Sequence, residues 1–373
     1  MNKKNIVFWG NINIHVYPIA KALSLYQKVY IIIDSNSFTN QTERIPLYTS
    51  QENIEIIDAK NSDLKNIINS FDKKNTIHIN TGLKLSSSIS SKALKLLLKN
   101  KAIIFSLPQE GFQLDNIKGI INKIKWFIYI NFIYKEIKGF GLTGNKAFND
   151  FKSIKCNIKS RCFPCIYATS PSNINTFLPH EEFNITFVGA INKRKNIETI
   201  IKWMLESKDI MRFKFNFHIY GRIYKNEAQD FLKLIKGYPN FIYHGIVDNN
   251  EIQNALAQSD LLILPSLYDG WGAVVNEALQ CGSQVLVSNK CGSESLIQNR
   301  SFLGKVFEVN NQKDFTNKVL FFLAKGVLSI KEREEIKNWG ASHISPEVVA
   351  KYLNEIFEYY CTNSTRKPIA PWN

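Results

Sequence analysis

Long apolar runs are missing from this 373-residue chain. The most apolar stretch, "IKWFIYINFIY" at 124–134, is much too short to cross a bilayer, which argues against a helical membrane anchor. The start, "MNKKNIVFWGN", offers only the short apolar run Ile6 to Trp9 before polar residues resume, so it does not read as a signal peptide. These two absences predict a cytoplasmic protein, at most peripheral to a membrane. Cysteine is scarce as well: six in a chain of this length make no disulfide framework. Cys162 and Cys165 have CxxC spacing with Cys156 close by, but no His or second CxxC lies near enough to complete a metal site. The segment "CFPCIYA" reads as extended and contains proline, whereas a redox pair is expected at a helix start, so these are expected to be structural thiols.

Acids are thin in one half only. Residues 1–175 hold 24 Lys/Arg against 11 Asp/Glu, a balance of +13, and the remaining 23 against 21 leave +2 of the total +15. A basic half beside a near-neutral one suggests an anionic partner: nucleic acid, a phosphate-bearing substrate or a membrane surface. Compositional drift in a chain rich in Lys, Asn and Ile is the alternative. With 45% hydrophobic and 21% charged residues, the chain has the composition of a folded protein and the length of two ordinary domains.

Short apolar runs alternate with helix-length segments nearly throughout. "NIVFWG", "KVYIIID", "TIHIN", "KAIIFSL", "NITFVGA", "FNFHIYG", "NFIYHG", "LLILPS" and "SQVLVS" read as strands. Between them, segments such as "SSKALKLLLKN" and "NIETIIKWMLES" carry helical periodicity. This alternation predicts parallel sheets covered by helices on both faces. The aperiodic stretch "ATSPSNINTFLPHEEFN", with two prolines, marks a linker over 171–182 between a domain 1–170 and a domain 183–345.

The richest segment is "PSLYDGWGAVVNEALQCG", residues 265–282. It places Asp269 in a glycine turn after a strand, and Glu277 about one turn inside the helix that follows. In open α/β sheets ligands lie beyond the carboxyl ends of strands, where helix starts point N–H groups at anions. Gly270 and Gly272 allow close backbone approach. Two carboxylates suited to vicinal hydroxyls, beside a place for phosphate, describe a nucleotide sugar.

This segment resembles the signature of the family-four (group 1) glycosyltransferases of the GT-B fold, "P-S-x-x-E-G-F-G-x-x-x-x-E-A-x-x-x-G". It matches at Pro265, Ser266, Gly270, Gly272, Glu277, Ala278 and Gly282, with Asp269 and Trp271 in place of the usual Glu and Phe. "FVGAINKRKNIETII" resembles the family's basic loop, with Lys195 at the lysine position, Ala190 where arginine is usual, and Arg194 as the second charge. Asn196 is then expected to cap the helix starting at Ile197. "FHIYGRI" and "YHGIVDNNEI" resemble two further donor-side elements.

The resemblance implies two Rossmann-like domains with reaction in the cleft between them: donor on the second domain, acceptor on the first, and the helix 346–361 crossing back to the first. It implies Asp269 near the transferred sugar and Lys195 on the diphosphate; Glu110, which no family residue matches, completes the expected catalytic set as a candidate acceptor contact or base. The implied donor-binding set is Gly10, Asn11, Arg194, Gly221, Val247, Gly270, Trp271, Gly272, Ala273 and Glu277, with Glu277 on the ribose. In the first domain the resemblance is loose. His78 ends a strand where an H-x-H pair is common, but Asn80 replaces the second His. Gln109 and Glu110 stand where a cleft histidine is usual, and His15 is read as structural or as a substrate contact.

No Asp-x-Asp motif occurs, so no cofactor or metal is expected, and Lys195 and Arg194 would neutralise the leaving group. Residues 118–161, with ten Lys/Arg, two acids and eight aromatics, suit an anionic lipid surface better than nucleic acid in a transferase with a lipid-linked acceptor. Core packing of those aromatics is the alternative. The expected activity is retaining sugar transfer from a nucleotide-sugar donor to a saccharide or lipid-linked acceptor in bacterial surface polysaccharide assembly. A sugar-nucleotide epimerase or hydrolase, or a non-catalytic sugar-nucleotide or nucleic-acid-binding protein, stays open.

Overall fold

The computed structural model describes all residues except 1–3, 11–15, 36–51, 60–62, 82, 84–87, 113–116, 171–173, 175, 225–227, 363 and 365. The chain divides into two compact units: residues 1–170 with 346–373, and residues 171–345.

The first unit is built on seven strands: β1 (Asn5–Trp9), β2 (Val29–Ile33), β3 (Ile54–Asp58), β4 (Thr76–Asn80), β5 (Ile103–Gln109), β6 (Gly139–Leu142) and β7 (Cys162–Pro164). They form one parallel sheet in the order β3-β2-β1-β4-β5-β6-β7. The second unit has β8 (Phe183–Val188), β9 (Phe215–Tyr220), β10 (Phe241–Gly245), β11 (Leu261–Leu264), β12 (Gln284–Ser288) and β13 (Gly304–Phe307). Its order is β10-β9-β8-β11-β12-β13, again parallel.

Central strands of such sheets are covered on both faces, and the residues here meet that demand. Leu261 to Leu264 and Val285 to Val287 are fully buried, as are Ile6 and Val7. In each sheet the winding reverses at the first strand, between β1 and β4 and between β8 and β11. The crevice at such a reversal is where open α/β sheets hold ligands.

The helix Pro346–Thr362 belongs to the first unit and packs along the helix Val16–Leu23. Gln27 Nε2 donates to Asn354 Oδ1 at 2.9 Å, and Phe357 packs on Phe105 with ring centroids 4.7 Å apart. The stretch 171–182 is no free linker in its described residues. Phe177 lies under the guanidinium of Arg333, and His180 Nε2 meets Asp260 Oδ2 at 2.9 Å, so this segment is built into the second unit.

The thiols are structural in character. All six are free, and five are buried. Burial pushes the Cys165 and Cys291 thiols up to about 12. Cys156 and Cys162 lie with their sulfurs 3.8 Å apart. Among the described residues no helix is long and apolar enough to cross a membrane.

Candidate functional site

Two loops meet at the reversal of the second sheet. One follows β8 and carries Arg194 and Lys195; the other follows β11 and carries Asp269. Because β8 and β11 are neighbours, with Leu261 beside Ile185, residues 74 positions apart in sequence come into contact. Lys195 Nζ donates to Asp269 Oδ2 at 2.6 Å, and Arg194 Nη1 reaches the same oxygen at 3.4 Å. Lys195 and Asp269 are each only 14% exposed at the side chain, whereas Arg194 is 51% exposed.

The loops are also joined through backbone. Leu267 N donates to Arg194 O at 2.9 Å, Arg194 Nη1 to Tyr268 O at 3.0 Å, and Asn196 Nδ2 to Pro265 O at 3.3 Å. Asn192 sets the turn before Lys195, its Oδ1 accepting from Lys195 N at 2.9 Å.

Asn196 does not cap the helix Ile197–Glu206 as expected. It sits at the N-cap position in the left-handed conformation (φ 60°, ψ 20°) and makes no side-chain cap bond. Asparagine tolerates that conformation better than most residues, and its amide is spent on the neighbouring loop.

The glycine turn is explained by crowding. Gly272 has φ +90°, and a Cβ there would lie 2.5 Å from Leu264 Cδ2 and 3.2 Å from Ser293 Oγ. Ser293 Oγ is buried and has no hydrogen-bond partner among the described residues. A third loop, after β12, completes the cluster: Gly292 N donates to Asp269 O at 3.0 Å, and Asp269 N to Lys290 O at 3.1 Å. A Cβ on Gly292 would fall 2.2 Å from Gly270 O, so the two loops touch backbone to backbone.

The helix Val274–Gln280 follows, with Ala273 at its N-cap position and Glu277 half-buried in its first turn. Asp269, Lys195, Arg194, Gly270, Gly272, Ala273 and Glu277 therefore share one corner of the second unit.

Other expected donor contacts have different structural roles. The Trp271 ring is 1% exposed and its Nε1 donates to Asn276 Oδ1 at 2.9 Å, so it is a core wedge under the turn and not a surface for a ligand. Gly221, at φ +138°, is required by its own chain: a Cβ would stand 1.9 Å from Gly189 O. Val247 is half-buried, just before Asp248, whose side chain forms a capping box with Glu251.

Sequence reasoning missed a ring cluster on β9 and β10. His218 Nδ1 and His244 Nε2 are 3.0 Å apart, and His244 stacks on Tyr220 with centroids 4.3 Å apart. No single residue type there announced it; only the β9–β10 pairing brings the rings together.

In the first unit Gly10 has φ +138° and its N donates to Ile32 O at 3.1 Å. Asn11 and His15 lie outside the described residues. Glu110 is exposed and accepts from Tyr167 OH at 2.9 Å. Tyr167 also lines, with Thr81 and Pro108, a small cavity of about 140 Å³. His78 is a structural ring: it is buried, accepts from Trp9 Nε1 at 3.1 Å, and burial pushes its pKa down to about 4. Asn80 is equally buried and donates to Ser90 O at 2.8 Å.

The aromatics of 118–161 are mostly core. Tyr134, Phe140 and Phe151 are buried, and Trp126, Phe127, Tyr129 and Phe148 pack against them; only Phe132 is exposed.

Two doubly wound parallel-sheet units, with a cation–carboxylate cluster at a switch point, define a protein of the GT-B class. A crystal structure of a glycosyltransferase from Rickettsia africae ESF-5 has the same fold, with a TM-score of 0.72 at 16% identity over 98% of this chain and 100% of that one. Residues 173–343, nearly the whole of the second unit, match the family of glycosyl transferases group 1. Two further relatives are partial matches. Over 223 residues, 57% of each chain, it is 25% identical to the N,N'-diacetylbacillosaminyl-diphospho-undecaprenol alpha-1,3-N-acetylgalactosaminyltransferase of Campylobacter jejuni. Over 109 residues, 29% of this chain and 28% of the other, it is 29% identical to an "Uncharacterized 41.2 kDa protein in cps region" of Klebsiella pneumoniae. The chain thus spans about a quarter and about half of the lengths of these relatives.

Proposed function

We propose that this protein transfers a sugar from a nucleotide-sugar donor to a lipid-linked saccharide acceptor, with retention of anomeric configuration, in bacterial surface polysaccharide assembly on the cytoplasmic side. The observation that carries this reading is the 2.6 Å contact of Lys195 with Asp269, in the turn that leads to the helix with Glu277 in its first turn. A diphosphate entering this corner exchanges with Asp269 for the Lys195 ammonium, and Arg194 lies within reach of the same place. Asp269, so released, accepts from hydroxyls of the transferred sugar, and Glu277 accepts from those of the ribose.

In the reaction the bond from the anomeric carbon to the diphosphate oxygen breaks, and the bond to the acceptor oxygen forms on the same face. The acceptor proton passes to the departing diphosphate. Lys195 and Arg194 hold the negative charge that grows on that group. Support for a lipid-linked acceptor comes from the name of the Campylobacter relative, which pairs an N-acetylgalactosaminyl group with a diphospho-undecaprenol acceptor.

A panel of UDP-, GDP- and dTDP-sugars, scored for nucleoside diphosphate release with and without acceptor lipid, tests the reading. Release that depends on acceptor supports transfer. Release of free sugar at the same rate without acceptor identifies an epimerase or hydrolase instead, and no release with any donor sinks both.

Glu277→Ala is expected to weaken donor binding by about 1.5–3 kcal/mol, or roughly ten- to a hundredfold, the range for hydrogen bonds to a charged group. Calorimetric titration with the preferred nucleoside diphosphate measures it, and an unchanged affinity would remove Glu277 from the donor site. Activity is expected to survive EDTA, because Lys195 and Arg194 supply the charge that a divalent ion would otherwise provide. Complete loss on chelation, with recovery on adding Mg²⁺ or Mn²⁺, would overturn that assignment.

A further inference from the structure

The helix Ile117–Ile128 and the π-helical turn Tyr129–Ile133 that extends it carry an unusual outer face. Ile120, Ile121, Ile124, Ile128, Phe132 and Ile133 are 68, 72, 59, 45, 61 and 47% exposed. Positions 120/121, 124, 128 and 132 follow helical spacing, so they line up as one ridge about 18 Å long at 1.5 Å per residue. The inner side is already satisfied: Ile130 and Tyr134 are in the core, with Trp126, Phe127 and Tyr129 packed on it. A surface helix ordinarily turns polar residues outward, whereas this one is apolar on both sides.

Lys123, Lys125, Lys135 and Lys138 are exposed around the ridge, and the only acid within 117–138 is Glu136. A second copy of the chain would set this lysine fringe against its own kind. A bilayer takes a convex apolar ridge without needing a complementary groove, and its anionic headgroups match the fringe.

We propose that this ridge seats the protein on an anionic phospholipid surface. The isoleucines and Phe132 enter the boundary between headgroups and acyl chains, and the lysines stay at the phosphates. The inference deepens the transferase reading and rests on it, since a lipid-linked acceptor is presented at such a surface. It also replaces the aromatic belt expected from the sequence with an aliphatic one.

Flotation of the full chain with phosphatidylcholine vesicles, with and without phosphatidylglycerol, tests the proposal. The protein is expected to float with the anionic vesicles and to be released as salt rises, because screening shortens the reach of the lysines. The triple variant I121Q/I124Q/I128Q is expected to lose at least about tenfold in partition at unchanged melting temperature, because these side chains face solvent. K123Q/K125Q, which leaves the ridge intact, is expected to lose the preference for anionic over neutral vesicles.

Absence of flotation at low salt, or unchanged partition of the triple variant, overturns the proposal. So does a concentration-dependent dimer in sedimentation velocity that the triple variant abolishes while flotation is unaffected, which would make the ridge a self-association face. Donor hydrolysis in solution keeps the two readings apart. Flotation without any donor turnover would sink the transferase reading and not the docking, and turnover without flotation the reverse.

Discussion

Lys195→Ala is expected to lower turnover by about a hundred- to a thousandfold, the usual cost of removing one charge-stabilising donor from an active site. Donor affinity should fall by less, within about tenfold. On the proposed transfer reaction, the difference comes from what Lys195 does before the donor arrives. Its ammonium already neutralises Asp269 at 2.6 Å, with both side chains largely withdrawn from water. Binding a diphosphate therefore trades one ion pair for another, and little is gained in the ground state. As the bond to the diphosphate breaks, charge accumulates on the leaving group, and only then does the ammonium gain a stronger partner. Lys195→Arg keeps the charge and should recover part of the loss. Steady-state kinetics with calorimetric measurement of donor affinity separates the two effects. A variant with normal turnover and a raised KM alone would show that Lys195 holds ground and transition states equally, and would remove it from catalysis.

The Lys195–Asp269 pairing shows where sequence reasoning stops. Each residue is legible through its local setting, a basic turn after one strand and an acid in a glycine turn after another. Their mutual contact is not, because it depends on β8 and β11 being neighbours at the point where the winding reverses. An alternating strand–helix pattern is compatible with several strand orders. The same topology brings in Cys291 and Gly292, whose loop braces Asp269 from β12, and Asn192, whose side chain forms the turn before Lys195. The roles of Trp271 and Gly221 were obscured for a related reason. A tryptophan or glycine beside a motif looks the same in sequence whether it faces a ligand or its own core; here burial places the Trp271 ring in the core, and a Cβ on Gly221 would stand 1.9 Å from Gly189 O, so the chain itself needs a glycine there.

Most strands are plain in their apolar runs, yet β3, β6, β7 and β13 are not among those read from them. β6 is "GFGL", with two glycines that would ordinarily argue against a strand. They are there because the rings of Phe105 and Phe163 on the flanking strands occupy the space: a Cβ on Gly139 would sit 3.0–3.1 Å from both. Packing by neighbours, unreadable from the segment itself, overrides its propensity. β7 is three residues including a proline at the sheet edge, and β13 starts at Gly304, where a Cβ would fall 1.9 Å from Val285 O.

Arg333→Ala is expected to destabilise the second unit by about 3–5 kcal/mol, the cost of leaving a buried charge without its partner. Arg333 and Asp260 are 2% and 1% exposed and lie 2.6 Å apart. The guanidinium also donates to Ser259 O at 2.6 Å and Ala257 O at 3.1 Å, which ties the helix Ile330–His343 to the start of β11. Asp260 in turn accepts from the backbone N–H of Asn184 and of Leu328, both at 2.8 Å. Replacing both charges with apolar residues would therefore strand two backbone donors, and it should not restore stability as it does where a buried pair bonds only to itself. At about 2–4 °C per kcal/mol for a domain of this size, the melting transition should drop by roughly 6–20 °C in a calorimetric scan. Gly340 lets this helix approach the helix that carries Glu277, a Cβ there lying 3.1 Å from Gln280 Cα. Yet Arg333 itself is remote in role from the ligand, so nucleotide affinity well below the melting temperature should stay within about twofold of the parent, in keeping with near-additivity of distant sites. A fall of less than about 1 kcal/mol would mean that water or a shifted His180 replaces the guanidinium, and that the pair sets geometry without holding the fold.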